Sequence, residues 1–175
     1  MRRIRRGPLL AFLVLIVVVT VPLVVRWASL PSDRGPTVEV QLADGTERTF
    51  TLEDLHALPA VIRHGEAQNQ FGNWRDEGTY TGVLLTDLLG DPPYSALVVE
   101  ASDGYRVTIE RTRVENGEYP MVLAYAMDGV GVPEWQDGFR IVVLPLSGRV
   151  SNEDYGAVSA GSFWARNVMR IVAQP

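Results

Sequence analysis

Hydrophobic positions fall into two regimes along the chain. Residues 8–25, PLLAFLVLIVVVTVPLVV, form one apolar run without charge. At ~1.5 Å per residue this gives about 27 Å of helix, enough for a slightly thin hydrocarbon core. Pro22 lies near its end, where a kink is tolerated. From residue 37 onward the apolar positions come in short runs divided by turn residues. Val38, Val40 and Leu42 alternate with polar neighbours, Asp44-Gly45 turns the chain, and Arg48–Phe50 return, which predicts a hairpin. Thr51 and Asp54 approximate a capping box for a short helix, Leu52–Leu58, stopped by Pro59. Leu84, Leu85, Leu88 and Leu89 predict a second short helix ending at Gly90, and Pro92 and Pro93 prevent its extension. Leu97–Ala101 and Tyr105–Ile109 flank Asp103-Gly104 as a second hairpin; Met121–Met127 with Phe139–Leu144 predict a strand pair, and Val168–Ala173 the last strand. The stretch Arg63–Thr79 is polar, rich in Gly, Asn and Gln, and has no period. It predicts a long irregular segment, a feature more often functional than idle. Short strands, two small helices and long loops read as an α+β fold, mostly β, with mixed sheets.

This pattern divides the chain into a membrane anchor over residues 1–27, a linker over 28–36 and a domain over 37–175. Arg2, Arg3, Arg5 and Arg6 precede the apolar run, while only Arg26 follows closely. The positive-inside bias therefore leaves the N-terminus in the cytoplasm and exports the domain to the periplasm or cell surface. Trp27 sits where an interfacial anchor belongs. The rival reading is a cleaved signal peptide. The run exceeds the usual apolar core of such a peptide and RWAS is a poor cleavage site, so the expectation is a single-pass protein.

Beyond the anchor the chain carries 11 Arg against 21 acidic residues, net −10, and no Lys. Such a surface argues against nucleic acid or anionic lipid as a partner. The absence of Cys removes disulfides, thiolate nucleophiles, iron–sulfur ligation and a lipoprotein anchor. No nucleophile elbow accompanies the Ser, His and Asp present.

Several strings then occur in a telling order. Tyr80-Thr81-Gly82-Val83 is followed by Leu85, Asp87, Leu88 and Leu89; Ala101–Tyr105 reads ASDGY; Leu123-Ala124-Tyr125 precedes Asp128-Gly129; Gly138 precedes RIVVLP at Arg140–Pro145; Arg166–Ile171 closes the series. Together they resemble the molybdopterin-binding domain of the sulfite oxidase family over residues 38–173. The resemblance implies a mostly β domain with a loop-lined pterin pocket. It also implies a Cys thiolate on molybdenum, supplied from the segment before Tyr80. Here that segment reads VIRHGEAQNQFGNWRDEG and holds no Cys. Where the family often has a His beside the pterin phosphate stands Asp137, which would repel it. Arg140 matches the family's Arg, and Arg166 falls at its Lys position.

The candidate cofactor-binding residues are therefore Arg140, Arg166, His64, Asn73, Trp74 and Tyr80. Arg140 and Arg166 have the forked geometry that clamps a phosphate; the plainer alternative is pairing with some of the many acids. His64 is a base or ligand candidate without a partner His nearby, and a lone loop His is usually solvent-facing. Asn73, with Asn69, Trp74 and Tyr80, would give a pocket a polar and aromatic wall, unless Trp74 and Tyr80 plug the space instead. Asn152–Tyr155 read as a solvated acidic loop, and GAVSAG at Gly156–Gly161 as a tight turn or close-packing element. Three functions compete. The first is a non-catalytic, membrane-tethered module, without cofactor, that binds a ligand or a membrane redox or assembly protein. The second is a molybdopterin-dependent oxidoreductase with a non-thiolate metal site. The third is a solute- or metal-binding accessory to a respiratory complex.

Overall fold

The computed structural model describes residues 35–175. The expected anchor, and the linker up to residue 34, lie outside the described residues. Among the described residues no helix is long and apolar enough to cross a membrane.

The domain is mostly β, with mixed sheets and few short helices, as the pattern predicts. Strands β1 (Thr37–Gln41) and β2 (Glu47–Thr51) form the first hairpin, followed by α1 (Leu52–His56). The capping box is complete: Asp54 N donates to Thr51 Oγ1 at 3.2 Å and Thr51 N to Asp54 Oδ2 at 2.8 Å. Next come β3 (Ala60–Gln68), β4 (Trp74–Leu84), α2 (Leu85–Leu89), β5 (Ala96–Ala101), β6 (Arg106–Glu110) and the single turn α3 (Arg111–Val114). Then follow β7 (Met121–Met127), β8 (Val130–Gly131), β9 (Arg140–Val143), β10 (Arg149–Val150), a 3-10 turn at Ala160–Phe163, and β11 (Val168–Gln174).

One sheet runs β2-β1-β11-β5-β6 and the other β10-β3-β4-β7-β8, with β9 also on β7. The contacts β1·β11 and β10·β3 are parallel and the remaining pairs antiparallel, so both sheets are mixed. Alternation decides the faces: Val38 and Val40 of β1, Leu97 and Val99 of β5, and Ile171 and Ala173 of β11 are buried. Strands β7 and β9 show no alternation, because Met121–Tyr125 and Arg140–Val143 are buried throughout, and Arg140 is the one charged residue among them. Each Leu, Ile or Val so buried contributes about 1.5–3 kcal/mol. β4 and β7 approach closely at Gly82, where a Cβ would meet the Ala124 Cα at 2.6 Å. Only glycine leaves room for that approach.

The stretch Arg63–Thr79 is not irregular. It is most of a long antiparallel hairpin, β3–β4, with register Ile62↔Thr81 and His64↔Thr79. A five-residue connection closes it: Asn69 N donates to the Asn73 carbonyl at 3.0 Å, and Asn69 Oδ1 accepts from Phe71 N and Asn73 N. The acidic loop is also only partly solvated. Asn152 donates to Gln68 Oε1 and the Asn69 carbonyl and accepts from Ala160 N, while Tyr155 is buried edge-on against Tyr119 and Phe163. Gly161 packs on the Gln68 carbonyl, 3.3 Å from where its Cβ would lie, which is the close-packing role expected of GAVSAG.

Candidate functional site

The β3–β4 ladder slips once. Gly65 faces Gly78 and Ala67 faces Arg75, so Asp76 and Glu77 together oppose Glu66. Such a bulge re-aims a side chain. Asp76 takes φ 60°, a conformation few residues other than glycine adopt and Asp tolerates better than most. The Tyr80 hydroxyl holds it there, donating to the Asp76 carbonyl at 2.5 Å.

Two further segments meet this bulge. The start of β9 is zipped to the residues before β11: Ile141 N donates to the Ala165 carbonyl, Asn167 N to the Asp137 carbonyl and Val168 N to the Phe139 carbonyl. The turn needs φ 59° at Gly138, where a Cβ would lie 2.9 Å from Asn167 Oδ1. This zipper sets Arg140, Arg166 and Asp137 side by side. Arg140 donates to Asp76 Oδ2 at 2.7 Å and to Asp137 Oδ2 at 2.9 Å. Arg166 binds Asp76 Oδ1 in a short contact and Asp137 Oδ1 at 3.4 Å. Two guanidinium groups and two carboxylates thus close a neutral ring of four.

The ring has a dry side and a wet side. The Arg140 side chain is 1% exposed and Arg166 48%. The Arg140 guanidinium lies 5.9 Å from the Tyr80 ring centroid and 5.5 Å from that of Trp164, and Tyr80 packs between Trp135 and Trp164. Burial pushes the Tyr80 phenol up to about 12, against the opposing pull of Arg140. Two buried donors of this cluster, Arg140 Nε and Trp164 Nε1, have no hydrogen-bond partner. An open cleft of about 360 Å³, lined by Asp128, Glu134 and Trp135, reaches the ring at Asp137.

Of the sequence candidates, Arg140, Arg166 and Tyr80 come together; His64, Asn73 and Trp74 do not join them. His64 is half-exposed on β3, with Glu77 Oε1 at 3.9 Å. Asn73 belongs to the hairpin connection. Trp74 is 36% exposed, so it plugs no interior space; the Arg149 guanidinium covers it at 5.0 Å and also binds the buried Glu66 at 2.5 Å. Tyr80 does fill interior space. Sequence reasoning missed Asp76, Trp135 and Trp164. Trp164-Ala165-Arg166 places an aromatic and a cation two apart, which was the available signal for one of them.

A molybdopterin group does not fit these residues. The metal of the family that the sequence resembles needs a soft thiolate, and the chain has none. The arginines that would face a phosphate already hold two carboxylates, and a dianion there would meet like charge at close range. At 4 Å and an effective dielectric near 20, each such unit pair costs about 4 kcal/mol.

No family model matches the chain, and no curated protein does. Solved structures do. The sulfane dehydrogenase SoxCD from Paracoccus pantotrophus superposes with a TM-score of 0.58 at 18% identity, over 83% of this chain and 39% of that one. The likeness shows the fold, and it agrees with the molybdopterin oxidoreductase-like architecture that the sequence strings resemble. The chain spans well under half of that dehydrogenase chain.

Proposed function

We propose that this protein is a membrane-anchored, extracytoplasmic module that uses an oxidoreductase-like scaffold to bind a ligand or a membrane redox or assembly protein, without catalysing a redox reaction itself. The observation that carries this reading is the ring of Arg140, Arg166, Asp76 and Asp137, in which the two cationic charges are already balanced by the chain's own acids. The lack of any thiolate points the same way. The acids lining the adjacent cleft give the site a negative rim, suited to a cationic or neutral partner rather than a free anion.

Protein purified from its native host tests the reading. Metal analysis together with the fluorescence of oxidised pterin is expected to return neither signal. Near-stoichiometric molybdenum would overturn it. The anchor has its own test: deletion of residues 1–27 moves the protein from the membrane to the soluble fraction, and a chain that stays in the membrane without them refutes that part.

A further inference from the structure

We infer, on the anchored reading above, that the end of the domain carrying the β3–β4 connection is a bilayer-docking surface, seated in the interface of zwitterionic lipid beside the anchor.

Eight large hydrophobic side chains are exposed among the described residues, and five of them, Phe71, Trp74, Tyr105, Val158 and Met169, lie at one end. Phe71 stands on the connection that closes β3–β4, and Trp74 follows it. Asn152 donates to the Asn69 carbonyl and accepts from Ala157 N and Ala160 N, which carries the loop of Val158 onto the same connection. Gly161 packs on the Gln68 carbonyl, and the neighbouring Ser162 carbonyl accepts from the Tyr105 hydroxyl, which brings in the β5–β6 turn. The chain enters the domain here too. β1 and β11 are parallel with Glu39 beside Arg170, so Thr37 is level with Val168, and Val168 faces Ala101 just before that turn.

Phe71 is 77% exposed and Val158 87%, so neither supports the core. Trp and Tyr favour a membrane–water interface, and Phe and Val lower themselves readily into its apolar side. Arg149, laid over the Trp74 ring, is paired with Glu66 and adds no net charge. Glu153 and Asp154 on the adjoining loop disfavour anionic headgroups, which leaves zwitterionic lipid as the complement. The tether decides between a bilayer and a free partner. The nine residues 28–36 reach at most about 30 Å, so an anchored domain stays beside the membrane and its apolar end is the end at which the tether arrives.

The chain has no Cys, so one introduced Cys carries one fluorophore. The full chains F71C, V158C and I62C, each dye-labelled, are reconstituted into phosphatidylcholine vesicles that contain lipid with a nitroxide quencher near the headgroup. Ile62 is the control: it is exposed on the same strand, six residues before Gln68 and about 20 Å along it. Quenching of F71C and V158C is expected to exceed that of I62C by about threefold or more. Equal quenching at all three positions overturns the inference. So does unquenched dye at F71C and V158C in chain that stays with the vesicles, the outcome expected if a protein partner covers this end instead; the anchor reading survives both results. Chain that washes off the vesicles overturns the anchor reading and this inference together, so the two failures are told apart.

Discussion

Arg140 and Arg113 each tie distant segments together, and they do so with opposite chemistry. Arg113, on α3, donates to the carbonyls of Tyr155 and Gly156 at 2.8 and 3.2 Å and lies over the rings of Tyr155 and Phe163 at 4.7 and 5.1 Å. Its partners are neutral, and the left-handed residue among them is a glycine, Gly156 at φ 61°, which adopts that conformation freely. Arg140 instead draws two carboxylates to itself, one from a residue at positive φ. A clamp needs only carbonyls, as Arg113 and also Arg63 on the Leu144 carbonyl demonstrate. The two acids at Arg140 therefore do something beyond clamping: they cancel its charge and, with it, the attraction of the site for anions.

The sharpest way to break this comparison is to remove each cation. R140M leaves Asp76 and Asp137, each about a quarter exposed, without their buried partner. It is expected to lower stability by about 3–5 kcal/mol. R113M loses two charge-assisted bonds to carbonyls and two ring contacts, and is expected to lose about 1.5–3 kcal/mol. Urea denaturation midpoints measure both. Combining D76N with R140M is expected to recover part of the R140M loss, since one stranded charge disappears, whereas no carboxylate variant rescues R113M. Equal losses at the two sites, with no rescue at either, would dissolve the distinction.

The two regions also differ in how well the sequence announced them. Hairpins with Asp-Gly at the turn, the capping box at Thr51 and the all-apolar strands were legible because local chemistry and burial agree there. β3 and β4 were not. Ala60–Gln68 buries only Gly65–Ala67, so the half before them carries exposed Ile62, half-buried Arg63 and exposed His64, whose polarity does not follow the strand period, and its turn is built from Asn69 rather than an Asn-Gly pair. Arg140 and Arg166 were legible as cations in recognisable strings. Asp76 was not, because a bulge that turns one acid toward a residue sixty-four positions away leaves no period in the sequence. Trp135 and Trp164 lie in loops, where apolar periodicity does not operate.

Tyr80 gives a smaller and pH-resolved effect. In the unfolded chain a tyrosine ionises near 10; in the fold burial pushes Tyr80 to about 12. Below pH 10 both states keep the proton and stability is level. Between 10 and about 12 the unfolded chain releases it while the fold does not, so stability falls by about 1.4 kcal/mol per pH unit from this residue alone. Y80F is expected to cost about 1 kcal/mol at neutral pH, through loss of the bond to the Asp76 carbonyl, and to flatten the alkaline decline. Midpoints taken at pH 8, 10 and 11 for both proteins decide it: parallel declines would mean that Tyr80 is not shielded beside Arg140.

The smallest effect concerns a carboxylate held without any cation. Asp54 is fully exposed, and hydrogen bonds from the Thr51 hydroxyl and then the Thr51 backbone hold it below the ordinary carboxylate range. A depressed pKa contributes stability that is present above the unfolded value, near 3.9, and is lost as pH falls through the folded one. T51A removes the hydroxyl donor, so the acid limb of the stability curve should become slightly shallower. Asp76 and Asp54 thereby separate two uses of the same side chain. One is oriented by neutral donors to finish a helix, the other by guanidinium groups whose charge it balances. If D54N rescued R140M as D76N is expected to, the carboxylates would be acting through stability in general, and the special standing of Asp76 would fall.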